Sequence, residues 1–424
     1  MQRIAIIEGF RTPFCKMGAA FKDVPAQDLA RAVTRELLER TEIDPKNIDE
    51  VIFGNVCQPV DAANIARVIA LLSGIPKTVP AFTVHRNCAS GVESVVSASL
   101  KILAGDASCI LAGGTESMSN VPFFFTKQLQ DIISHLGRAK SVIEKLQVIS
   151  RLRLAHLQPQ IGLQLGLTDP VCGLNMGQTA EVLAKEFGIT RREQDEFALI
   201  SHERAIKARE ILREEIVPFI PGPQYKTVVV DDVGPRENQM MEALAKLKPY
   251  FDRRSGTVTA GNSSQITDGA VALLLMSEAR ARELGYVPLG YLKAYAFAGV
   301  EPHRMGIGPA HAIPQVLKKA GMTMSDIDAF EINEAFAAQV LACLRSLSSN
   351  AFAKEFGYEG HAGDIPFSKL NVHGGAIALG HPVGATGSRL ILTMLKHLKR
   401  NNLNAGLISL CVGGGQGAAA ILER

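Results

Sequence analysis

Short apolar runs alternate with stretches whose apolar residues recur every third or fourth position, so strands and helices are expected to alternate along the chain. Val51-Ile52-Phe53, Cys109-Ile110-Leu111-Ala112 and Leu407-Ile408-Ser409-Leu410 read as strands buried on both faces, and Met1–Glu8 reads as a first strand. The pattern also repeats. Leu37-Leu38 through Asp44-Pro45-Lys46-Asn47-Ile48-Asp49-Glu50-Val51-Ile52-Phe53 predicts helix, turn and strand, and Val316-Leu317 through Thr323-Met324-Ser325-Asp326-Ile327-Asp328-Ala329-Phe330-Glu331-Ile332 predicts the same series at a constant offset. Each is followed, after a variable stretch, by a helix of small residues, Ala89–Leu103 and Ala385–Leu398. A glycine-rich strand comes next, Cys109–Gly114 and Leu407–Gly415. Buried strands covered by helices imply an α/β fold, and the duplication implies two similar halves packed on each other.

Between the halves the pattern changes. From Phe123 to Leu157 the apolar residues Leu129, Ile132, Ile133, Leu136, Ile143, Leu146 and Ile149 fall at helical spacing, interleaved with Lys127, Arg138, Lys140, Lys145, Arg151 and Arg153. A basic amphipathic helical hairpin is predicted there. A further helix over 190–215 opens on the capping box Thr190-Arg191-Arg192-Glu193, and Pro218 to Pro223 end the pattern. The expected domains are an N-terminal half over 1–120 and 259–285, an inserted, mostly helical loop domain over 121–258, and a C-terminal half over 286–424.

Composition narrows the function classes. At 424 residues, 47% hydrophobic and 21% charged, the chain is an ordinary globular protein. A net charge of +3, no tryptophan and 6% aromatic residues argue against a nucleic-acid-binding surface. Seven cysteines, odd in number and without a C-x-x-C pair, indicate neither a disulfide framework nor a zinc site, so a reducing, cytoplasmic setting and no metal are expected. Neither a signal peptide nor a membrane span is read in the chain.

Three residues stand out chemically. Cys88, in Asn87-Cys88-Ala89-Ser90-Gly91, sits where a strand gives way to a helix, and the helix dipole is expected to give it thiolate character; a buried, inert cysteine is the alternative. His381, between Gly380 and Pro382 in the glycine-dense run Gly374–Gly387, suits general-base work near neutral pH, or else a structural turn. His373 and His85 are weaker candidates. Cys411 precedes Val412-Gly413-Gly414-Gly415-Gln416-Gly417-Ala418, which formally matches a dinucleotide fingerprint but leaves no room for the helix such a site needs. Those glycines instead leave backbone N–H groups free for an oxyanion.

Taken in order over essentially the whole chain, Asn87–Gly91, Gly113-Gly114-Thr115-Glu116-Ser117-Met118-Ser119, Asn333-Glu334-Ala335-Phe336-Ala337, Gly374–Gly387 and Cys411–Gly415 resemble the motifs of the thiolases. The resemblance implies a duplicated five-layer α-β-α-β-α fold with an inserted loop domain. It also implies acetyl-CoA C-acyltransferase activity, cleaving 3-oxoacyl-CoA with CoA by a ping-pong route in fatty-acid β-oxidation. Cys88 would be the acylated nucleophile, His381 its base, and Cys411 the acid/base at the acetyl carbanion. One oxyanion hole would be His381 with a water held by Asn333, the other the backbone N–H groups of Cys88 and Gly413. Met176, Ala260, Ser264 and Phe336 correspond to positions around the pantetheine arm, and Arg236 to one near the CoA nucleotide. Coenzyme A is then a substrate, with no cofactor. A homodimer or dimer of dimers is implied.

The hairpin, with Ser150-Arg151-Leu152-Arg153-Leu154, resembles that of the β subunit of the trifunctional fatty-acid oxidation complex. This implies docking of a hydratase/dehydrogenase α subunit, or peripheral membrane contact, through residues 124–157; a CoA-covering loop with a solvated basic face is the alternative. That subfamily often carries His-Glu-Ala-Phe where this chain has Asn333. Other readings are a biosynthetic acetoacetyl-CoA thiolase, a ketoacyl synthase, disfavoured by Cys411, and a non-catalytic lipid carrier or scaffold.

Overall fold

The computed structural model describes residues 3–424, so Met1 and Gln2 of the expected first strand lie outside the described residues. The first half consists of β1 (Ile4–Arg11), α1 (Ala26–Thr41), β2 (Glu50–Gly54), α2 (Ile65–Leu72), β3 (Ala81–Val84), α3 (Ser90–Ala104), β4 (Cys109–Glu116) and β5 (Thr267–Ser277). The second consists of β6 (Gly290–Gly299), α4 (Gly308–Ala320), β7 (Ala329–Ile332), α5 (Ala337–Leu347), α6 (Val383–Asn401), β8 (Ala405–Val412) and β9 (Gln416–Glu423).

The strand order is β3-β2-β4-β5-β1 in the first half and β7-β8-β9-β6 in the second. Parallel β2–β4 corresponds to parallel β7–β8, and antiparallel β4–β5 and β5–β1 correspond to β8–β9 and β9–β6. The lone parallel bridge Phe330–Leu370 stands where β3 pairs with β2. The repeat extends to side chains. Asp49 Oδ2 accepts from the backbone N–H groups of Ser108 and Cys109 (2.7 and 2.9 Å), and Asp328 Oδ2 accepts from those of Asn404 and Ala405 (2.8 and 3.1 Å).

Alternation along the strands assigns the layers. On β5, Ala270, Ala272, Leu274 and Met276 join the core formed with α1 and α2, whereas Val271, Leu273 and Leu275 join the core formed with α3 and α6. On β9, Ala418, Ala420 and Leu422 face that same central core, while Ala419 and Ile421 face α4 and α5. Helices, sheet, two central helices, sheet and helices make the five layers. The half-sheets share an edge, where Ile4–Ile6 of β1 pair with Gly290–Leu292 of β6.

The expected insertion over 121–258 divides. Val121–Thr168 is a compact unit of its own, and the segment from Asp169 onward belongs to the main unit. Within the small unit the helices Lys127–Arg138 and Val142–Ile149 form the expected hairpin, capped by Thr126 and by a Ser141/Glu144 capping box. Neither helix buries a residue. Ile133, Val142, Ile143, Leu146 and Leu154 are exposed. In the main unit, the Thr190 capping box starts the helix Arg191–Lys207 as expected. No helix among the described residues is long and apolar enough to cross a membrane.

Candidate active site

The two central helices meet on glycine. A Cβ at Gly91 would stand 2.6 Å from the backbone nitrogen of Ser388, and one at Gly387 would stand 2.4 Å from that of Val92. Ser388 Oγ also donates to the Gly91 carbonyl at 2.9 Å. Any side chain there would push α3 and α6 apart. Cys88 lies two residues ahead of α3 and His381 two residues ahead of α6, so this crossing gathers them at one end of the central layer.

The β8–β9 hairpin supplies a third component. Cys411 is the penultimate residue of β8, and Gly414 and Gly415 turn the chain with φ of 86° and 82°. The glycines thus make a hairpin turn, and the residues after them form a strand rather than a nucleotide-binding helix. Asn87, itself at φ 42°, donates from Nδ2 to the Gly413 carbonyl at 2.6 Å and ties this turn to the residue before Cys88. The backbone N–H groups of Gly413 and of Cys88 itself favour the thiolate form of Cys88. Asn87 opens the motif Asn87-Cys88-Ala89-Ser90-Gly91, but its tie to the Gly413 turn depends on a hydrogen bond that spans 326 positions and leaves no local sequence signal.

Protonation departs from two expectations. Burial raises the Cys88 thiol above its ordinary value; the two backbone N–H groups pull it down, and the Glu116 charge pushes it up further. Desolvation outweighs the helix terminus, so Cys88 rests as a thiol and needs a base. His381 is pushed down to about 3, by burial and then by Arg389. It is therefore neutral at physiological pH rather than titrating near 7. Its tautomer follows from Thr386, whose hydroxyl donates to the Pro382 carbonyl at 3.0 Å and so accepts from His381 Nδ1–H at 2.6 Å. The lone pair is on Nε2. Thr267 Oγ1 and the Gln265 carbonyl hold the His381 backbone N–H.

Asn333 follows β7 directly and places Nδ2 3.5 Å from His381 Nε2. Its Oδ1 is buried and accepts no hydrogen bond from the described residues. Cys411 is 1% exposed, and burial, then the neighbouring Cys88 and Cys343, raise its thiol well above the ordinary range.

An apolar wall adjoins Cys411. It contains Met176, first residue of the helix Met176–Glu186, with Phe336, Ala335, Met305 and Phe251. The Phe251 ring meets Phe336 edge-on at 5.9 Å. Phe251 and Met305 were not anticipated, because isolated apolar residues in irregular segments give no periodic signal. Ser264 donates its backbone N–H to the Ala335 carbonyl at 2.9 Å, beside Phe336. Ala260 is an exposed turn residue. Arg236 is exposed outside this cluster, and its backbone N–H donates to His202 Nδ1 at 3.2 Å.

Residues 4–279 match the thiolase N-terminal domain and residues 286–424 the thiolase C-terminal domain. The chain is 44% identical over 434 aligned residues to a 3-ketoacyl-CoA thiolase of Escherichia coli, covering 99% of this chain and 97% of that protein. Among solved structures, the acetyl-CoA acetyltransferase of Bacillus anthracis superposes with a TM-score of 0.87 at 39% identity, covering 100% of this chain and 99% of the other. The human mitochondrial 3-ketoacyl-CoA thiolase in complex with CoA superposes with a TM-score of 0.86 at 36% identity, covering 100% and 98%. With both domains matched end to end and relatives at this identity over nearly the full length, the chain belongs to the thiolase family.

Proposed function

We propose that the chain is a 3-oxoacyl-CoA thiolase, an acyltransferase that shortens acyl chains in β-oxidation. The observation that carries this is the meeting of Cys88, the Gly413 amide, His381, Asn333 and Cys411 at one end of the central layer. Cys88 Sγ attacks the 3-oxo carbon and its proton goes to His381 Nε2. The C2–C3 bond then breaks, and Cys411 protonates C2 of the leaving acetyl-CoA enolate. CoA–SH gives its proton to the Cys411 thiolate and attacks the acyl-Cys88 thioester; the released Cys88 sulfur regains its proton from His381. Covalent catalysis thus splits one transfer into two. The N–H groups of Cys88 and Gly413 would hold one oxyanion, and His381 with a water on Asn333 Oδ1 the other, each donor worth about 3–4 kcal/mol. Coenzyme A is substrate rather than cofactor.

Met176, Phe336, Phe251 and Met305 offer the pantetheine arm and acyl chain an apolar wall, with Ser264 and Ala260 at its border, and exposed Arg236 is assigned to the nucleotide end. Thiolysis should remove the enolate absorbance of 3-oxoacyl-CoA and extend beyond the four-carbon substrate. Activity on acetoacetyl-CoA alone would select the biosynthetic alternative, and none at all the non-catalytic one. The 44% identity to a protein named for 3-ketoacyl-CoA favours the degradative reading.

Self-association fits the end strand β3, which among the described residues pairs only with β2 and is flanked by exposed Leu71 and Leu72 on α2 and Leu100 and Leu103 on α3. Such an edge is a template for a second strand. The hairpin over 124–157, basic and with an exposed apolar stripe, is proposed to dock a partner α subunit or a membrane surface. Light scattering should give two or four chain masses. Deleting residues 124–157 should leave that mass multiple intact and abolish co-sedimentation with anionic vesicles; a monomer, or undiminished co-sedimentation, contradicts the respective assignment. Seven free thiols fit a cytoplasmic location.

A further inference from the structure

The segment Asn371–Gly387 that carries His381 is gripped on both flanks by a buried carboxylate. On one side Glu334 Oε2 accepts from Ser201 Oγ (2.6 Å) and the Ile377 backbone N–H (3.2 Å), while Oε1 accepts from Asn371 Nδ2 (2.8 Å). On the other, Glu116, the last residue of β4, reaches across from the first half. Its Oε2 accepts from the Gly384 backbone N–H in the first turn of α6 (3.0 Å) and from that of Val56 (3.1 Å). Its Oε1 accepts from Asn55 Nδ2 (3.0 Å) and the Cys57 backbone N–H (2.9 Å). The fit is tight, since a Cβ at Gly384 would stand 2.8 Å from Glu116 Oε2. Thr386, which orients His381 through Nδ1, is in the same helical turn as Gly384.

We propose that Glu116 is a positioning residue: its ionised carboxylate locks the start of α6 to the first half, and so fixes the turn that aims His381 Nε2 at the Cys88 thiol. Only a carboxylate can accept from these four donors at once. A protonated or amide side chain turns a donor toward another donor and frees the turn. The ionisable groups facing Glu116 are Asp268 on β5 and the thiols of Cys57 and Cys88. Burial pushes the carboxyl up to about 7, against the three backbone N–H groups, and Asp268 adds to the rise. The carboxylate, and the alignment it holds, is therefore lost as pH falls through about 7. His381, pushed down to about 3, and the Cys57 and Cys88 thiols, raised by burial, supply no such limb; burial raises Glu334 and Glu331 too, so it is the loss of the limb in Glu116→Gln that assigns it to Glu116.

This rests on the thiolase reading, and its test separates the two. Wild-type thiolysis should show an acidic limb near pH 7. Glu116→Gln should lower kcat about 10²-fold, as for a misaligned catalytic group, with KM within twofold and the limb gone. A purely structural glutamate would instead lower Tm while leaving kcat per folded molecule and the limb unchanged, and that result overturns the proposal. Should Glu116→Gln not fold, Asn55→Ala removes one donor from Oε1 and should move the limb to higher pH; an unmoved limb equally overturns it. Absence of wild-type thiolysis would refute the enzymatic reading itself.

Discussion

Replacing Cys88 with serine should lower thiolysis at least about 10³-fold and abolish the covalent acyl adduct, with the fold intact. The substitution keeps size and polarity at a half-buried position, so Tm should hold within a few degrees. What it removes is an ionisable nucleophile. The thiol is already raised by burial, yet it sits under the N–H groups of Gly413 and Cys88, which stabilise the thiolate as it forms. A hydroxyl is far harder to ionise, and a His381 pushed down to about 3 is a weak base. Removing one member of a nucleophile–base unit commonly costs about as much as removing all of it. Intact-mass measurement after incubation with an acyl-CoA checks this: wild type should gain one acyl group and Cys88→Ser none. An adduct of equal stoichiometry on the serine variant would move the nucleophile elsewhere.

The same residues mark how far the sequence could be read. The duplication was legible because each half carries its own aspartate clamp, Asp49 and Asp328, on a helix-turn-strand unit with period-specific apolar spacing. The strand β9 was not. Its centre is Ala418-Ala419-Ala420, with no β-branched residue until Ile421, and pairing on both sides by β8 and β6 makes it a strand against local propensity. Cys88, His381 and Cys411 were legible as cysteines and a histidine in glycine-rich settings, and the fold gathers them. Their protonation was not, because a helix terminus is visible in a sequence and desolvation is not; burial decides both Cys88 and His381. Thr386 and Glu116 escaped for a related reason, since each works through hydrogen bonds formed only when the two halves close on one another or α6 begins.

Cys411→Ala should separate the two chemistries of the site. C–C cleavage needs a proton at C2 as the enolate leaves, and a thiol raised well above its ordinary value by burial and by Cys88 is fully protonated at neutral pH, hence ready to give one. Acylation of Cys88 by a simple acyl-CoA breaks no C–C bond, and its leaving group is a CoA thiolate, stable enough in water to depart without the Cys411 proton that the acetyl-CoA enolate requires. The alanine variant should therefore still gain one acyl group by mass, while thiolysis of 3-oxoacyl-CoA falls at least about 10³-fold, within the range that single acid–base catalysts and one lost donor supply together. Losing one buried sulfur beside Met176, Phe336 and Met305 leaves a small apolar void costing about 1 kcal/mol, too little to unfold the protein. Thiolysis within tenfold of wild type would take the acid role from Cys411, whereas loss of acylation together with thiolysis would show that the two cysteines do not divide the work.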